Sequence, residues 1–231
     1  MFRALLDRLS TALPSQCAVC HAWPAQPLCE ACVARFAQPR PRCRSCALPV
    51  PEGVERCGAC IKDAPPLDQC LAAVPYEYPW SGLVTRYKFG ARPGWSAALA
   101  LLMRSAPWVE PALEAADLVV PMPLSRERLR QRGFNQALEL ARHLAPGKTN
   151  ATLLQRRRDT PAQSALPREQ RLRNVRGAFG VARGREPELQ GRRVLLVDDV
   201  MTSGATLFAA AQVLRAAGAS HITGLVLART E

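Results

Sequence analysis

VLLVDDVMTSGAT, Val194 to Thr206, sets an unbroken aliphatic run ahead of two adjacent carboxylates and a small, hydroxyl-rich loop. Val194 to Val197 lacks polar alternation, the pattern of a central parallel strand covered on both faces. Asp198 and Asp199 then fall at its carboxyl end. Thr202, Ser203, Gly204 and Thr206 follow, just ahead of a helix-like run from Leu207 to Ala217. Hydroxyls and backbone N–H groups therefore converge where a helix N-terminus favours an anion. Open α/β sheets bind ligands at this edge. Carboxylates for hydroxyl donors beside a phosphate-sized loop suit a ribose 5-phosphate. A plainer reading is a turn with two solvated aspartates and a helix capped by Thr202 or Ser203; it explains the cap and leaves the carboxylate pair unexplained. No Gly-Lys-Ser/Thr follows the loop and no three-glycine fingerprint is present, which disfavours both common nucleotide folds.

The 231 residues, 48% hydrophobic, suffice for one core domain with a small appendage. No apolar stretch approaches the roughly 18 residues of a bilayer span. Residues 1–13 mix Arg3, Asp7 and Arg8 with leucines at helical spacing, a short amphipathic helix rather than an export signal. A cytoplasmic location is expected. The net charge of +12 is carried almost wholly by arginine, since Lys62, Lys88 and Lys148 are the only lysines. That balance suits phosphate-bearing partners, although scattered surface arginines need no ligand. Many of them cluster between Arg126 and Arg176, which favours a functional field.

Eight of nine cysteines form four C-x-x-C pairs: Cys17/Cys20, Cys29/Cys32, Cys43/Cys46 and Cys57/Cys60. Each pair presents two thiolates from one knuckle, and two knuckles complete the four-thiolate shell of a structural Zn²⁺. Sequential grouping into two zinc sites is the natural arrangement, and a cross-braced pairing of alternate knuckles stays open. Disulfides fit poorly with a cytosolic chain. Residues 14–65 hold too few large apolar side chains to fold on a core alone, so metal would supply much of their folding free energy. Cys70, outside the repeat, reads as a small apolar residue opening the next domain. The expected organisation is a helix over 1–13, a Cys-rich double zinc ribbon over 14–65 and an α/β domain over 66–231.

Within the larger domain, strand-like and helix-like runs alternate. Strands are expected at Leu71–Tyr78, Leu118–Pro121, Ala151–Leu154, Arg193–Val197 and His221–Ala228. Helices are expected at Trp80–Phe89, Trp95–Ser105, Asn135–Leu144 and Ala205–Ala217. This order implies a parallel sheet with crossovers. Arg126, Arg128, Arg130 and Arg132 bring four cations into seven residues after the strand ending at Pro121. They read as a loop able to hold a pyrophosphate through bidentate guanidinium contacts, or as a solvated turn capped by Asn135. Residues 155–179 are polar, carry seven arginines and join two strands. So long a loop is either functional or a disordered insertion. Tyr87, Lys88 and Phe89 form a basic aromatic cluster that can stack a base while Lys88 meets a phosphate; a half-buried helix face explains the two rings nearly as well.

The Val194–Thr206 segment resembles the PRPP-binding motif of type I phosphoribosyltransferases. Nearly the whole chain resembles the ComF family of competence-associated proteins. The other marks are YKFG at Tyr87–Gly90, PMPLSRERLRQRGFNQ at Pro121–Gln136, the arginine-rich stretch from Arg156 through Asn174 to Phe179, and the cysteine array. The resemblance implies an α/β fold of type I phosphoribosyltransferase kind, a parallel sheet with flanking helices preceded by a small zinc-ribbon domain. It implies that Asp198 and Asp199 meet the ribose 2′- and 3′-hydroxyls as the catalytic pair, and that Thr202, Ser203, Gly204, Ala205 and Thr206 wrap the 5′-phosphate. Ser203 stands where many members have threonine and keeps the hydroxyl. Arg128, Arg132 and Lys88 would complete the PRPP site with Mg²⁺. Gln163, Arg168, Arg171 and Asn174 are candidates on a flexible loop over it. The family links the chain to DNA uptake in natural transformation, with phosphoribose transfer from PRPP to an unnamed acceptor as the enzymatic reading. The alternative is a non-catalytic single-stranded DNA-binding competence factor working with other DNA-uptake proteins.

Overall fold

The computed structural model describes residues 15–90, 93–158, 175 and 177–231. The chain divides into two compact units, Met1–Gln38 and Pro39–Glu231. The helix expected over residues 1–13 and the flexible-loop candidates Gln163, Arg168, Arg171 and Asn174 lie outside the described residues.

The first unit holds one pair of cysteine knuckles. An antiparallel bridge joins Ser15 to Ala25, and helix α1, Glu30–Phe36, starts at Cys29. The second unit opens with the other pair. Arg42 bridges Pro49, and the short helix α2, Gly58–Lys62, starts at Cys57. Cys43, Cys46, Ala47 and Cys60 are buried in one cluster with Met201, Leu207 and Val226. This second knuckle pair thus packs into the core of the sheet-bearing unit.

Four strands form a fully parallel sheet: β1 Gln69–Pro75, β2 Leu118–Pro121, and the strands at Arg193–Met201 and His221–Arg229, which are β5 and β6 once the pair below is numbered. The order across the sheet is β1-β6-β5-β2. Every residue from Val194 to Val197 is buried, as an inner strand requires. Helices α3 Trp80–Phe89, α4 Ser96–Arg104, α5 Val109–Ala115, α6 Arg126–Arg132 and α7 Gln136–Leu144 precede β5, and α8 Ala205–Ala216 follows it. Helix α4 packs on α7, and α7 on β5 and β2. Helix α8 packs on β5 and β6 and on the small sheet. Gly224 of β6 permits the close approach, since a Cβ there would lie 2.6 Å from Leu207 Cδ2.

Two expectations need correction. The strand expected at Ala151–Leu154 is not part of the parallel sheet. The chain touches that sheet through a bridge from Thr149 to Val119, then turns at Asn150, whose Oδ1 accepts the amides of Thr152 and Leu153 at 3.3 and 3.2 Å. It resumes as β3, Leu154–Arg156, antiparallel to β4, Phe179–Val181. The arginine run is not a loop but α6, capped by Ser125 Oγ accepting Arg128 N and ended by Gly133. Helix α5 and strand β4 went unforeseen because each is too short to show a period. No helix among the described residues is long and apolar enough to cross a membrane.

Candidate functional site

At the carboxyl ends of β2 and β5 a cavity of about 650 Å³ opens between α3, α6, the start of α7 and the loop into α8. Lys88, Arg128, Arg132, Asp198, Asp199, Thr202, Gly204, Ala205 and Thr206 all line it. Ser203 sits in the same loop, where its Oγ accepts the Ala205 amide at 3.4 Å. A smaller cavity of about 220 Å³, lined by Trp108, Arg193 and His221 among others, holds none of the candidate binding or catalytic residues.

The loop geometry comes from its composition. Gly204 has φ +81° at the N-cap of α8, a conformation that L side chains rarely adopt. A Cβ there would also lie 2.6 Å from Met201 Cε and from the Phe208 ring. The turn is therefore tight, and Thr202, Gly204, Ala205 and Thr206 line the cavity from the end of the helix. A helix N-terminus and small side chains let backbone approach a phosphate closely.

The period of α6 sorts the arginines. Positions 128 and 132 are four apart and share a face, while 126 and 130 fall on another. Only the first pair lines the cavity. Arg132 donates from Nη1 to Gln136 Oε1 at 2.9 Å and its guanidinium lies 5.2 Å from the Phe89 ring centre. Asn135 caps α7, its Oδ1 accepting the Leu138 amide and its Nδ2 donating to the Met122 carbonyl at 3.1 Å. That second bond ties the helix start to the end of β2.

Tyr87, Lys88 and Phe89 do three different things. Tyr87 is fully buried. Its hydroxyl lies 2.9 Å from Ser96 Oγ and donates to the Gln136 carbonyl at 3.2 Å, and its ring meets Phe134 edge-on at 5.4 Å. Burial pushes its ionisation well up. Tyr87 is therefore an anchor, not a stacking surface. With α3 held so, Lys88 Nζ reaches Asp199 Oδ1 at 3.0 Å, with only 18% and 10% of the two side chains exposed. Phe89 stays 69% exposed at the cavity rim.

The aspartates differ. Asp199 is 7% exposed and paired with Lys88; its amide donates to Asp198 Oδ1 at 2.9 Å. Burial, reinforced by the adjacent Asp199 carboxylate, pushes Asp198 up to about 7, against the pull of Lys88, the Asp199 amide and Arg132. Near neutral pH Asp198 can therefore both accept from and donate to ligand hydroxyls.

Both cysteine tetrads close in sequential grouping, Cys17/Cys20/Cys29/Cys32 and Cys43/Cys46/Cys57/Cys60, each with its sulfurs within 4.8 Å of one another. Sγ separations of 3.9 Å for Cys17–Cys32, 3.6 Å for Cys20–Cys29 and 3.7 Å for Cys46–Cys57 match a zinc tetrahedron, whose edges are about 3.8 Å for arms of about 2.3 Å. Without a cation, four such thiols cannot ionise together. Burial resists ionisation of Cys17, but amides of Cys20, Cys29 and Val19 bring it down to about 6, whereas burial and its three neighbours push Cys32 up to about 12. Both donor sets fit structural Zn²⁺. Cys70, fully enclosed and 3.6 Å from Met201 Sδ, is a core thiol, pushed by burial up to about 12.

Mg²⁺ is a different case. Adjacent carboxylates are the hard donors it takes, but Lys88 already holds Asp199 Oδ1. Lys88 thus takes one oxygen of Asp199, and a divalent ion on this pair would be held through the other carboxylate oxygens.

Sequence reasoning overlooked Gln136 and Arg156. Gln136 is 1% exposed, lines the cavity and holds Arg132. A glutamine beside a cap looks like any first-turn polar residue, and no signal marks it. Arg156 lines the cavity from β3; the arginine-rich stretch contains it, but nothing there separates it from Arg157 and Arg158.

The chain matches a family model described as phosphoribosyl transferase domain over residues 129–230, and one described as double zinc ribbon domain over 8–61. Among curated relatives, DNA utilization protein YhgH of Escherichia coli (strain K12) is 30% identical over 181 residues, covering 74% of this chain and 76% of that one. Competence protein F of Haemophilus influenzae is 33% identical over 179 residues, covering 73% and 76%. Competence protein ComFC of Bacillus subtilis is 32% identical over 114 residues, covering 49% and 45%.

Proposed function

The chain belongs to the ComF family of competence-associated proteins, with a phosphoribosyltransferase-like sheet and zinc ribbons, and on that premise we propose that its large cavity binds PRPP or a related ribose 5-phosphate in the service of DNA uptake. The observation that carries this reading is the convergence on one cavity of the Asp198–Asp199 pair, the 202–206 loop at a helix N-terminus, and Arg128 and Arg132 on one helix face. The carboxylates take the ribose hydroxyls, the loop takes the 5′-phosphate, and the two arginines take the pyrophosphate.

If the site turns over, an acceptor nucleophile forms a bond to the anomeric carbon while that carbon's bond to the pyrophosphate oxygen breaks, and pyrophosphate leaves with the electron pair. Arg128 and Arg132 face where that charge develops. Asp198, with its proton near neutrality, is placed to exchange a hydrogen bond with a hydroxyl. Mg²⁺, which the resemblance implies, would supply charge neutralisation on the pyrophosphate; the chain's own cations supply the same kind of charge in the cavity as it stands.

Pyrophosphate release from PRPP, measured with nucleobases, nucleosides and oligonucleotides as acceptors, tests catalysis. Release that depends on an acceptor and vanishes in Asp198→Asn/Asp199→Asn supports transfer. Binding of PRPP without release under any acceptor removes the enzymatic reading and leaves a binding role.

The second reading is a single-stranded DNA-binding module. Its support is the cationic rim, where exposed Phe89 stands by Arg132 and Arg156 lines the same cavity. It predicts oligonucleotide affinity that falls with salt, with a log–log slope reduced by about 1.4 when Arg128 and Arg132 are neutralised. An unchanged slope removes it.

A further inference from the structure

The last residue of β6, Arg229, is 4% exposed. It stands opposite Met201 in the sheet register, with Pro75 of β1 on its other side. Its Nε donates to the Cys46 carbonyl at 2.9 Å. Its Nη1 donates to the carbonyls of Met201 at 3.1 Å and Thr202 at 2.5 Å, and to Thr230. One buried guanidinium therefore joins a residue of the second cysteine tetrad to the first residue of the phosphate loop. Cys70 reinforces the join: its amide donates to the Arg44 carbonyl at 2.7 Å, and its sulfur lies 3.6 Å from Met201 Sδ.

The two ends of this join depend on different things. Gly204 and the start of α8 shape the loop, but Met201 and Thr202 set where it leaves the sheet. Cys46 is placed by a knuckle whose fold rests on four thiols sharing a metal. When the metal leaves, the thiols no longer have a common centre, and the Cys46 carbonyl is no longer held in front of Arg229. A buried guanidinium that loses an acceptor redistributes over those it still holds, which include the loop carbonyls of Met201 and Thr202 beside Thr230. The loop then follows Arg229 rather than the knuckle fixing both.

We propose that Arg229 is a positioning residue that transmits metal loading of the Cys43/Cys46/Cys57/Cys60 site to the geometry of the 202–206 loop, so that phosphate-ligand binding requires the second metal. The ligand part rests on the PRPP-type reading of the cavity; the coupling itself does not. Zinc here does more than hold an appendage together. It completes the outer support of the ligand loop.

Hydrogen exchange followed by mass spectrometry on the full chain tests this, reading amides of residues 202–206 against the inner-strand amides of 194–197. Zinc content and PRPP affinity are measured on the same samples. In wild type, chelation should speed exchange at 202–206 by about tenfold or more, the effect of one or two lost bonds to a charged group. Zinc re-addition should reverse it, and 194–197 should stay slow. Arg229→Lys keeps the charge but lacks separate nitrogens for Cys46 on one side and Met201 and Thr202 on the other; with both zinc ions bound it should show the same loop-selective rise and a matching loss of PRPP affinity. The chelation and reloading arm stands if Arg229→Lys or Arg229→Met fails to fold. Unchanged loop exchange in zinc-replete Arg229→Lys, or equal acceleration of 194–197 on chelation, overturns the coupling. If the exchange pattern holds while PRPP binds neither protein, the coupling stands and the PRPP reading falls. If PRPP binds both equally with unchanged exchange, the coupling falls and the PRPP reading stands.

Discussion

Replacing Lys88 with methionine isolates the electrostatics of the cavity. Nζ and Asp199 Oδ1 are 3.0 Å apart, with 18% and 10% of the side chains exposed. Removing one member of so enclosed a pair leaves a carboxylate without its closest cation, which costs about 3 to 5 kcal/mol in comparable settings. A second effect adds a pH dependence. Asp198 is raised from 3.8 to about 7, so the folded protein holds a proton there that the unfolded chain releases. Stability from this group is therefore present at low pH and lost as pH rises from about 4 to about 7, levelling above. Lys88 is one of the charges holding Asp198 down. Without it the folded midpoint moves above 7, and the decline continues at about 1.4 kcal/mol per additional unit. Urea unfolding of both proteins at pH 6, 7, 8 and 9 measures this. The deficit of Lys88→Met should be large at pH 6 and wider at pH 8. A deficit below about 1 kcal/mol, or one that does not change with pH, would refute the reasoning.

Three other outcomes follow from the same geometry. Tyr87→Phe strips a buried hydroxyl from Ser96 and the Gln136 carbonyl and should cost about 1 to 2 kcal/mol in chemical denaturation, while weakening ligand binding through a looser α3. Gly204→Ala meets both a left-handed backbone and a 2.6 Å contact with Met201 and Phe208; ligand affinity should drop more steeply than thermal stability, since the damage is local to the loop. Purified protein should carry two zinc ions per chain by metal analysis, and chelation should lower the melting temperature and destroy knuckle structure seen by circular dichroism.

Where the chain announces itself, the chemistry is local. Val194 to Val197 reads as an inner strand, and the two features that follow it, a carboxylate pair and a glycine-bearing hydroxyl loop, lie within nine residues of it. Four C-x-x-C pairs carry their own spacing rule, although only the folded sulfur positions select sequential grouping. Other parts resist reading because their meaning is set by partners distant in sequence. The arginine run alternates in sequence, which looks like a loop or solvated turn, and it becomes a helix through Ser125 and Gly133; only then do Arg128 and Arg132 separate from Arg126 and Arg130. Tyr87 looks like a stacking ring until Ser96 and Gln136 close over its hydroxyl. Asn150 draws two following amides to its side chain and so turns the chain where the sequence reads as the start of a strand. Arg229 is the extreme case, since three of its acceptors lie 183, 28 and 27 residues away.

The central claim is that the cavity at the end of β5 is a PRPP-type pocket built on Asp198 and Asp199. Calorimetric titration of the zinc-replete chain with PRPP, run with and without Mg²⁺, tests it most directly. Saturable binding at one site per chain, abolished in Asp198→Asn/Asp199→Asn, is the predicted result. No binding by the wild type, or undiminished binding by the double variant, would contradict it.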